Sequence, residues 1–257
     1  VCASEGTFAI NITEARAGIA PYYISVNGSI FSPVTLPYTL SNQNSGEYSI
    51  SVRDVNGCSN TQSLNIYSPL GLSSKVIQLP TCNTADGKIE AMALGGSGNF
   101  EYKIDGGSAV SSPNFTGLSS GNHTIFVRDT STGCENSILV TLEVPTAVTG
   151  LTLSQKSVIC NAGNDGSITA TIATPAVGVN DNPIYKYSID GINFQESNTF
   201  SGLVKGTYTV EVISGRGCIA TNTISVSEPA AIVVPTPTVI EFGCSSTNNL
   251  NNASISV

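Results

Sequence analysis

Apolar residues take alternate positions in a series of short segments, and the series occurs three times. It opens with Phe8, Ile10 and Ile12 in the first copy, Ile89, Ala91 and Ala93 in the second, and Ile168, Ala170 and Ile172 in the third. A period of two marks a strand with one face buried. A second segment places Tyr22, Ile24 and Val26, then Phe100, Tyr102 and Ile104, then Tyr185, Tyr187 and Ile189 on one face. It ends in Asn27-Gly28, Asp105-Gly106 or Asp190-Gly191, pairs that supply the positive φ of a two-residue hairpin. Phe115-Thr116-Gly117-Leu118 and Phe200-Ser201-Gly202-Leu203 follow, with Tyr38, Leu40 and Gly46 as a looser counterpart. A long strand comes next: Tyr48, Ile50, Val52, then His123, Ile125, Val127, then Tyr208, Val210, Val212. It closes at a Gly-Cys pair, and each copy finishes with one more strand and a proline, Pro69, Pro145 or Pro229.

Many short strands, turns every few residues and no segment of helical period predict an all-β chain. The expected fold is a set of tandem immunoglobulin- or fibronectin-III-like β-sandwich repeats in an elongated array. The expected boundaries are 1–68 for repeat 1, without its opening segment, 69–145 for repeat 2, 146–229 for repeat 3 and 230–257 for the start of a fourth. The last follows from Asn252-Ala253-Ser254-Ile255-Ser256-Val257, which lines up with Asp165-Gly166-Ser167-Ile168-Thr169-Ala170. The expectation is a window on a longer array.

Composition adds two exclusions. Charged residues are only 11% of the 257, and the net charge of −8 repels phosphate backbones and anionic lipid, so nucleic acid is a poor partner. No run approaches the roughly 20 apolar residues of a membrane span, so no membrane insertion is expected.

The seven cysteines are locked to the repeat. Cys2, Cys82, Cys160 and Cys244 form one series, and Cys58, Cys134 and Cys218, each after a glycine, form another. There is no CxxC and only one histidine, which disfavours zinc and favours disulfides, and with them an extracellular location. Both within-copy pairing (Cys2 to Cys58, Cys82 to Cys134, Cys160 to Cys218) and sequential pairing (Cys58 to Cys82, Cys134 to Cys160, Cys218 to Cys244) leave one cysteine over. Within-copy pairing is preferred, because sequential partners would lie about two strand lengths apart, beyond the roughly 7 Å Cα limit of a bridge. It requires a short opening strand; a full-length one would put each first-series cysteine at the end opposite the Gly-Cys hairpin.

The third copy carries a resemblance. Cys160, Asp165-Gly166-Ser167-Ile168, Tyr185 to Gly191, Gly206 to Val212, Gly217-Cys218 and Ser227-Glu228-Pro229 together resemble the SprB-type repeats of Bacteroidota gliding-motility adhesins and related giant surface proteins. The second copy matches through Cys82, Asp86-Gly87, Phe100 to Gly106, Gly121 and Gly133-Cys134; the first, with Glu5-Gly6 and Asn27-Gly28, departs further. The resemblance implies export to the cell surface by a type IX secretion system and display as a filament. Its partners would be neighbouring repeats, surface polysaccharide or other filament proteins.

No catalytic residues, and hence no enzyme, are expected. His123, the sole imidazole, occupies the slot of Tyr48 and Tyr208, which reads as a structural ring at a strand start. No cofactor is expected, with calcium as a secondary prospect at Asp54, Asp129, Asp86, Asp165 or Asp181; turn capping is the simpler role for those carboxylates. Phe126 and Phe194 are the aromatic residues expected to face outward. The leading expectation is a stalk or spacer segment of a secreted surface adhesin, serving gliding or attachment. The alternative is a module that binds glycan or a surface protein through exposed loops.

Overall fold

A computed structural model of the chain describes residues 4–173, 184–240, 243–244, 250–251 and 254–256, with side chains through residue 238. Every regular element is a strand, and among the described residues no helix is long and apolar enough to cross a membrane. The chain divides into two compact units, Val1–Pro145 and Thr146–Val257.

The first unit holds two sets of strands. The first set is β1 (Phe8–Ile12), β2 (Tyr22–Val26), β3 (Ser32–Val34), β4 (Tyr38–Gln43), β5 (Gly46–Arg53) and β6 (Ser59–Ile66). β1 pairs with β4, and the facing sheet has the order β3-β2-β5-β6. The second set is β7 (Gly71–Gln78), β8 (Gly87–Leu94), β9 (Phe100–Ile104), β10 (Asn114–Leu118), β11 (Gly121–Asp129) and β12 (Glu135–Leu142). Its sheets run β10-β8-β7 and β12-β11-β9, all antiparallel. The second unit repeats that plan with β13 (Thr152–Lys156), β14 (Gly166–Thr171), β15 (Tyr185–Ser188), β16 (Thr199–Leu203), β17 (Gly206–Ser214) and β18 (Ile219–Val226). Two sheets, with hairpin-linked long strands in one and the opening strands in the other, make an immunoglobulin/fibronectin-III-like sandwich.

The alternation seen in the sequence is what closes these sandwiches. Ile89, Ala91, Tyr102, Phe115, Leu118, Ile125, Val127, Val140 and Leu142 are buried together in the second set. Their counterparts Ile168, Ala170, Tyr187, Phe200, Leu203, Val210, Val212 and Val226 are buried in the third.

The turn after the second segment differs from the expected simple hairpin. Ser29 and Gly107 donate their amides to Val26 and Ile104 across Asn-Gly and Asp-Gly pairs with positive φ, as expected. Pairing then resumes only at Ile24 with Ser32 and at Tyr102 with Val110, so the return strand is three residues long in one set and a single bridge in the other. In the third set the Asp190 carboxylate accepts the amides of Ile192 and Asn193 and stops the chain, and Tyr187 bridges to Gln195.

One glycine shows why the opening motif has its form. A Cβ on Gly87 would stand 2.8 Å from both the Leu118 carbonyl oxygen and a Leu142 methyl, and 3.0 Å from Pro80. Gly166 faces the same trap from Leu203 and Val226. Asp86-Gly87 and Asp165-Gly166 are thus the point where the ends of three strands converge.

Candidate functional site

The best-defined polar constellation lies at the N-terminal end of the second sandwich, where Ser68-Pro69 leads out of the first. Asp129, at the end of β11, is completely buried. Its Oδ1 accepts from the Ser131 and Thr132 amides and the Ser97 hydroxyl, and its Oδ2 accepts from the Ser97 amide at 2.6 Å. Burial is the largest effect on this carboxyl and raises its pKa, but the hydrogen bonds from Ser97, Thr132 and Ser131 outweigh it and hold the value down at about 2. The carboxylate therefore ties the Gly-Cys turn to the loop after β8.

That loop in turn grips the incoming chain. Gly96 donates its amide to the Ser68 carbonyl. A Cβ on Gly95 would lie 2.2 Å from the Pro69 carbonyl oxygen, and one on Gly96 would lie 2.7 Å from Asp129 Oδ2. Both glycines have positive φ, so the contact needs them for space and for backbone geometry alike. Phe8, Tyr67, Pro69, Leu70, Thr132 and Cys134 line a small cavity at this joint.

The other sets keep the turn and vary the side chain. Asp54 accepts from the Asn56 and Cys58 amides and from Ile19. In the third set Ser214 stands in its place, its buried hydroxyl accepting from the Cys218 amide at 3.0 Å. The remaining calcium prospects are also engaged as turn staples: Asp86 accepts from Thr81, Thr84 and Gln78, and Asp165 from the Ile159 amide. Asp181 lies outside the described residues. Among the described residues no group of three or more His, Cys, Asp or Glu side chains is placed to hold a metal ion.

His123 sits where the register put it. Tyr48 and Tyr208 donate their hydroxyls to the carbonyls of Asn44 and Val204, four residues upstream, and His123 donates Nε2–H to Ser119 in the same way at 2.8 Å. This is the corner by which sandwich domains latch the chain entering a long strand. The histidine has a feature its tyrosine counterparts lack: Nδ1 lies 2.6 Å from Asp105 Oδ2. Burial acts most strongly, against the charge, yet the Ser119 carbonyl and the Asp105 carboxylate together raise the imidazole pKa. The imidazole neighbour and the Thr124 amide hold Asp105 low in return, against burial.

The cysteines require a correction. Cys82, Cys134 and Cys218 are disulfide-bonded, but Cys58 and Cys160 are free thiols, both exposed. The expected pairings of Cys2 with Cys58 and of Cys160 with Cys218 are therefore not made. The geometry against closure within a copy is plainest in the second set, whose opening strand is long. β7 runs for eight residues beside β12, so Cys82 emerges at the far end from Cys134. Cys2 lies outside the described residues.

The two aromatic residues expected to face outward are only partly exposed. Phe126 is half-buried with Lys103 Nζ 4.7 Å from its ring centroid, and Phe194 is half-buried as well. Arg53 lies 4.2 Å from the Phe31 ring centroid and 5.4 Å from that of Tyr23, so these rings are occupied too. Outward hydroxyls pair with each other across strands, Ser51 with Thr61 at 2.7 Å and Thr207 with Ser225 at 3.0 Å.

Among solved structures, the C-terminal 282-residue fragment of intimin, in complex with the intimin-binding domain of the translocated intimin receptor, is similar over 53% of this chain, with 14% identity and a TM-score of 0.37. The match spans 57% of that fragment, less than two thirds of its length. The FN1–FN3 domains of chicken CNTN1 are similar over 88% of this chain and 97% of their own, with 12% identity and a TM-score of 0.27. The N-terminal eight Ig domains of Down syndrome cell adhesion molecule are similar over 88% of this chain and 35% of theirs, with 16% identity and a TM-score of 0.31. No curated protein matches. The SprB repeat family matches residues 76–109, from β7 through the turn after β9, and residues 152–194, from β13 through the turn after β15. The two matched segments lie one in each of the compact units.

Proposed function

We propose that this chain is a spacer segment of a long secreted adhesin, displayed at the cell surface for gliding or attachment, with units at 1–68, 69–145, 146–229 and 230–257. The carrying observation is a contrast within the repeats. The hydrogen bonds that hold each sandwich recur at Tyr48, His123 and Tyr208 and at Asp54, Asp129 and Ser214. The outward positions of the same long strands are held less closely: Ser51, Phe126 and Glu211 differ in all three copies, and Thr124 with Thr209 and Arg53 with Arg128 match in two copies but are replaced by Ser49 and Ile213 in the remaining one. Repeated binding would hold the outer residues constant, whereas a spacer need only hold the scaffold. The SprB matches support surface display in an adhesin. Small-angle scattering of the chain tests the reading. A strand of about ten residues spans ~33 Å, so three units in line give a maximum dimension above ~100 Å. A compact particle, or saturable binding of one glycan on an array, would count against a pure spacer.

A further inference from the structure

We propose that the open groove of the first sandwich is a docking site for one extended peptide strand of the β7 kind, supplied in trans and added along the free edge of β1. β1, β8 and β14 are the same strand in the three sets, with Ile10, Ala91 and Ala170 buried at the matching position. β8 is paired on both sides, with β10 and with β7, and β14 likewise, with β16 and with β13. Among the described residues β1 is paired on one side only, with β4. Its other edge presents main-chain N–H and C=O groups that lack a ladder, and such an edge takes up an added strand.

The floor beside that edge is aliphatic. Ile10, Ile12, Ile50, Val52 and Leu64 line a cleft of about 670 Å³, together with Asn60. In the second sandwich the same floor is covered. Val127 and Val140, the counterparts of Val52 and Leu64, are buried in one cluster with Leu70, and Leu72 packs against that cluster. In the third sandwich Val148, ahead of β13, is buried in the same way. The occupant therefore needs bulky apolar side chains at alternate positions ahead of a polar run, the pattern of Leu70-Gly71-Leu72-Ser73-Ser74.

One side chain identifies the occupant as a polypeptide strand. Asn136, opposite Val127 in the β11–β12 ladder, donates Nδ2–H to the Leu70 carbonyl at 2.8 Å. Asn222, on β18, does the same to the Leu151 carbonyl at 2.9 Å. In two sandwiches, then, an asparagine of the last strand fastens the main chain of the opening strand. Asn60 stands opposite Val52 in the β5–β6 ladder, which is the site of Asn136. Its side chain is exposed and makes no hydrogen bond among the described residues. The first sandwich keeps the fastener, and an added strand would engage edge, floor and amide together, whereas a small apolar ligand would use only the floor.

The inference is independent of the spacer reading, because it concerns one sandwich and not what the array carries. The probe is a synthetic, fluorescently labelled peptide of residues 69–79, added to the whole chain. It should bind saturably and slow amide exchange in β1, with exchange in β8 unchanged. Asn60→Ala should weaken binding about tenfold, the effect of one lost hydrogen bond at the upper end of its net range. Leu70→Asp together with Leu72→Asp in the peptide should abolish binding. Asn60 is exposed and without a side-chain partner, so its loss leaves the sandwich intact, and unchanged exchange in β2 and β5 verifies this. Absence of binding overturns the proposal, as does full affinity in the Asn60 variant. Altered exchange confined to β8 and β10, which would mean that the peptide merely replaces β7, overturns it too. Slowing in β1 that needs no peptide and rises with protein concentration would give the groove to a second copy of the chain and overturn a separate occupant.

Discussion

The first and second sandwiches share a plan and differ in one strand. In the second, β7 lies along the outer edge of β8 over eight residues and also touches β12, closing the space between the two sheets. In the first, β1 has a partner only in β4, and no strand among the described residues occupies the place of β7. The consequence is visible inside. Ten residues are buried in the core of the second sandwich and three, Ile10, Ile24 and Ile50, in that of the first. Ile10, Ile12, Tyr22, Ile50, Val52 and Leu64 line an open groove where the second sandwich has its opening strand. The strand with the weakest alternation in sequence is therefore the one that decides how dry the core becomes.

The comparison is sharpened first by truncating matched core residues. Ile125→Ala in the second sandwich, at a fully buried site, should cost about 2–5 kcal/mol, and Ile50→Ala at the matching site of the first about half as much, because its cavity already opens to the groove. Hydrogen exchange followed strand by strand on the whole chain reads each sandwich separately; equal losses would show that β7 contributes little to the core.

A smaller effect is expected at the Gly-Cys turn. Asp129→Asn removes the charge from a buried carboxylate that accepts four hydrogen bonds and should destabilise the second sandwich by about 2–3 kcal/mol. The wild-type contribution is fully present above the unfolded carboxyl pKa and is lost as pH falls through about 2. Acid titration monitored by exchange in β11 and the loop after β8 checks this, and the Asn variant should show a flatter acid limb.

The smallest effect separates His123 from its tyrosine counterparts. Because the folded pKa is raised, the His123–Asp105 pair stabilises fully below the unfolded histidine pKa, and that stabilisation is lost as pH rises through the folded value. Only the second sandwich should loosen as pH rises past the ordinary histidine range, by under about 1 kcal/mol, and His123→Tyr should make it as indifferent to this change as the other two. Parallel pH dependence in all three sandwiches would remove His123 as the cause.

The sequence was readable where side-chain period carries the information. The inward faces of the second segments and of the long strands follow from alternation, and the equivalence of His123 with Tyr48 and Tyr208 follows from register alone. Three features were hidden because they depend on what meets across the sandwich. The return strand is three residues in one set and one bridge in the others, too short to leave a pattern. The Asp105 partner of His123 comes from the turn that closes the neighbouring strand. The disulfides turn on which end of β7 carries Cys82, and GLSSKVIQ, with its three consecutive polar residues, gives no sign that it is a full-length strand.

The common heading of β7 and β12 has a mechanical consequence. Both begin at the Leu70 end of the second sandwich and finish at the Gly87 end, so the chain enters at one pole and leaves at the other. Tension applied through residues 70 and 142 slides these two strands lengthwise past their neighbours, straining a whole ladder at once instead of peeling it rung by rung. Rupture under load is governed by the unfolding barrier, and a ladder loaded along its length keeps that barrier high while the sandwich is pulled.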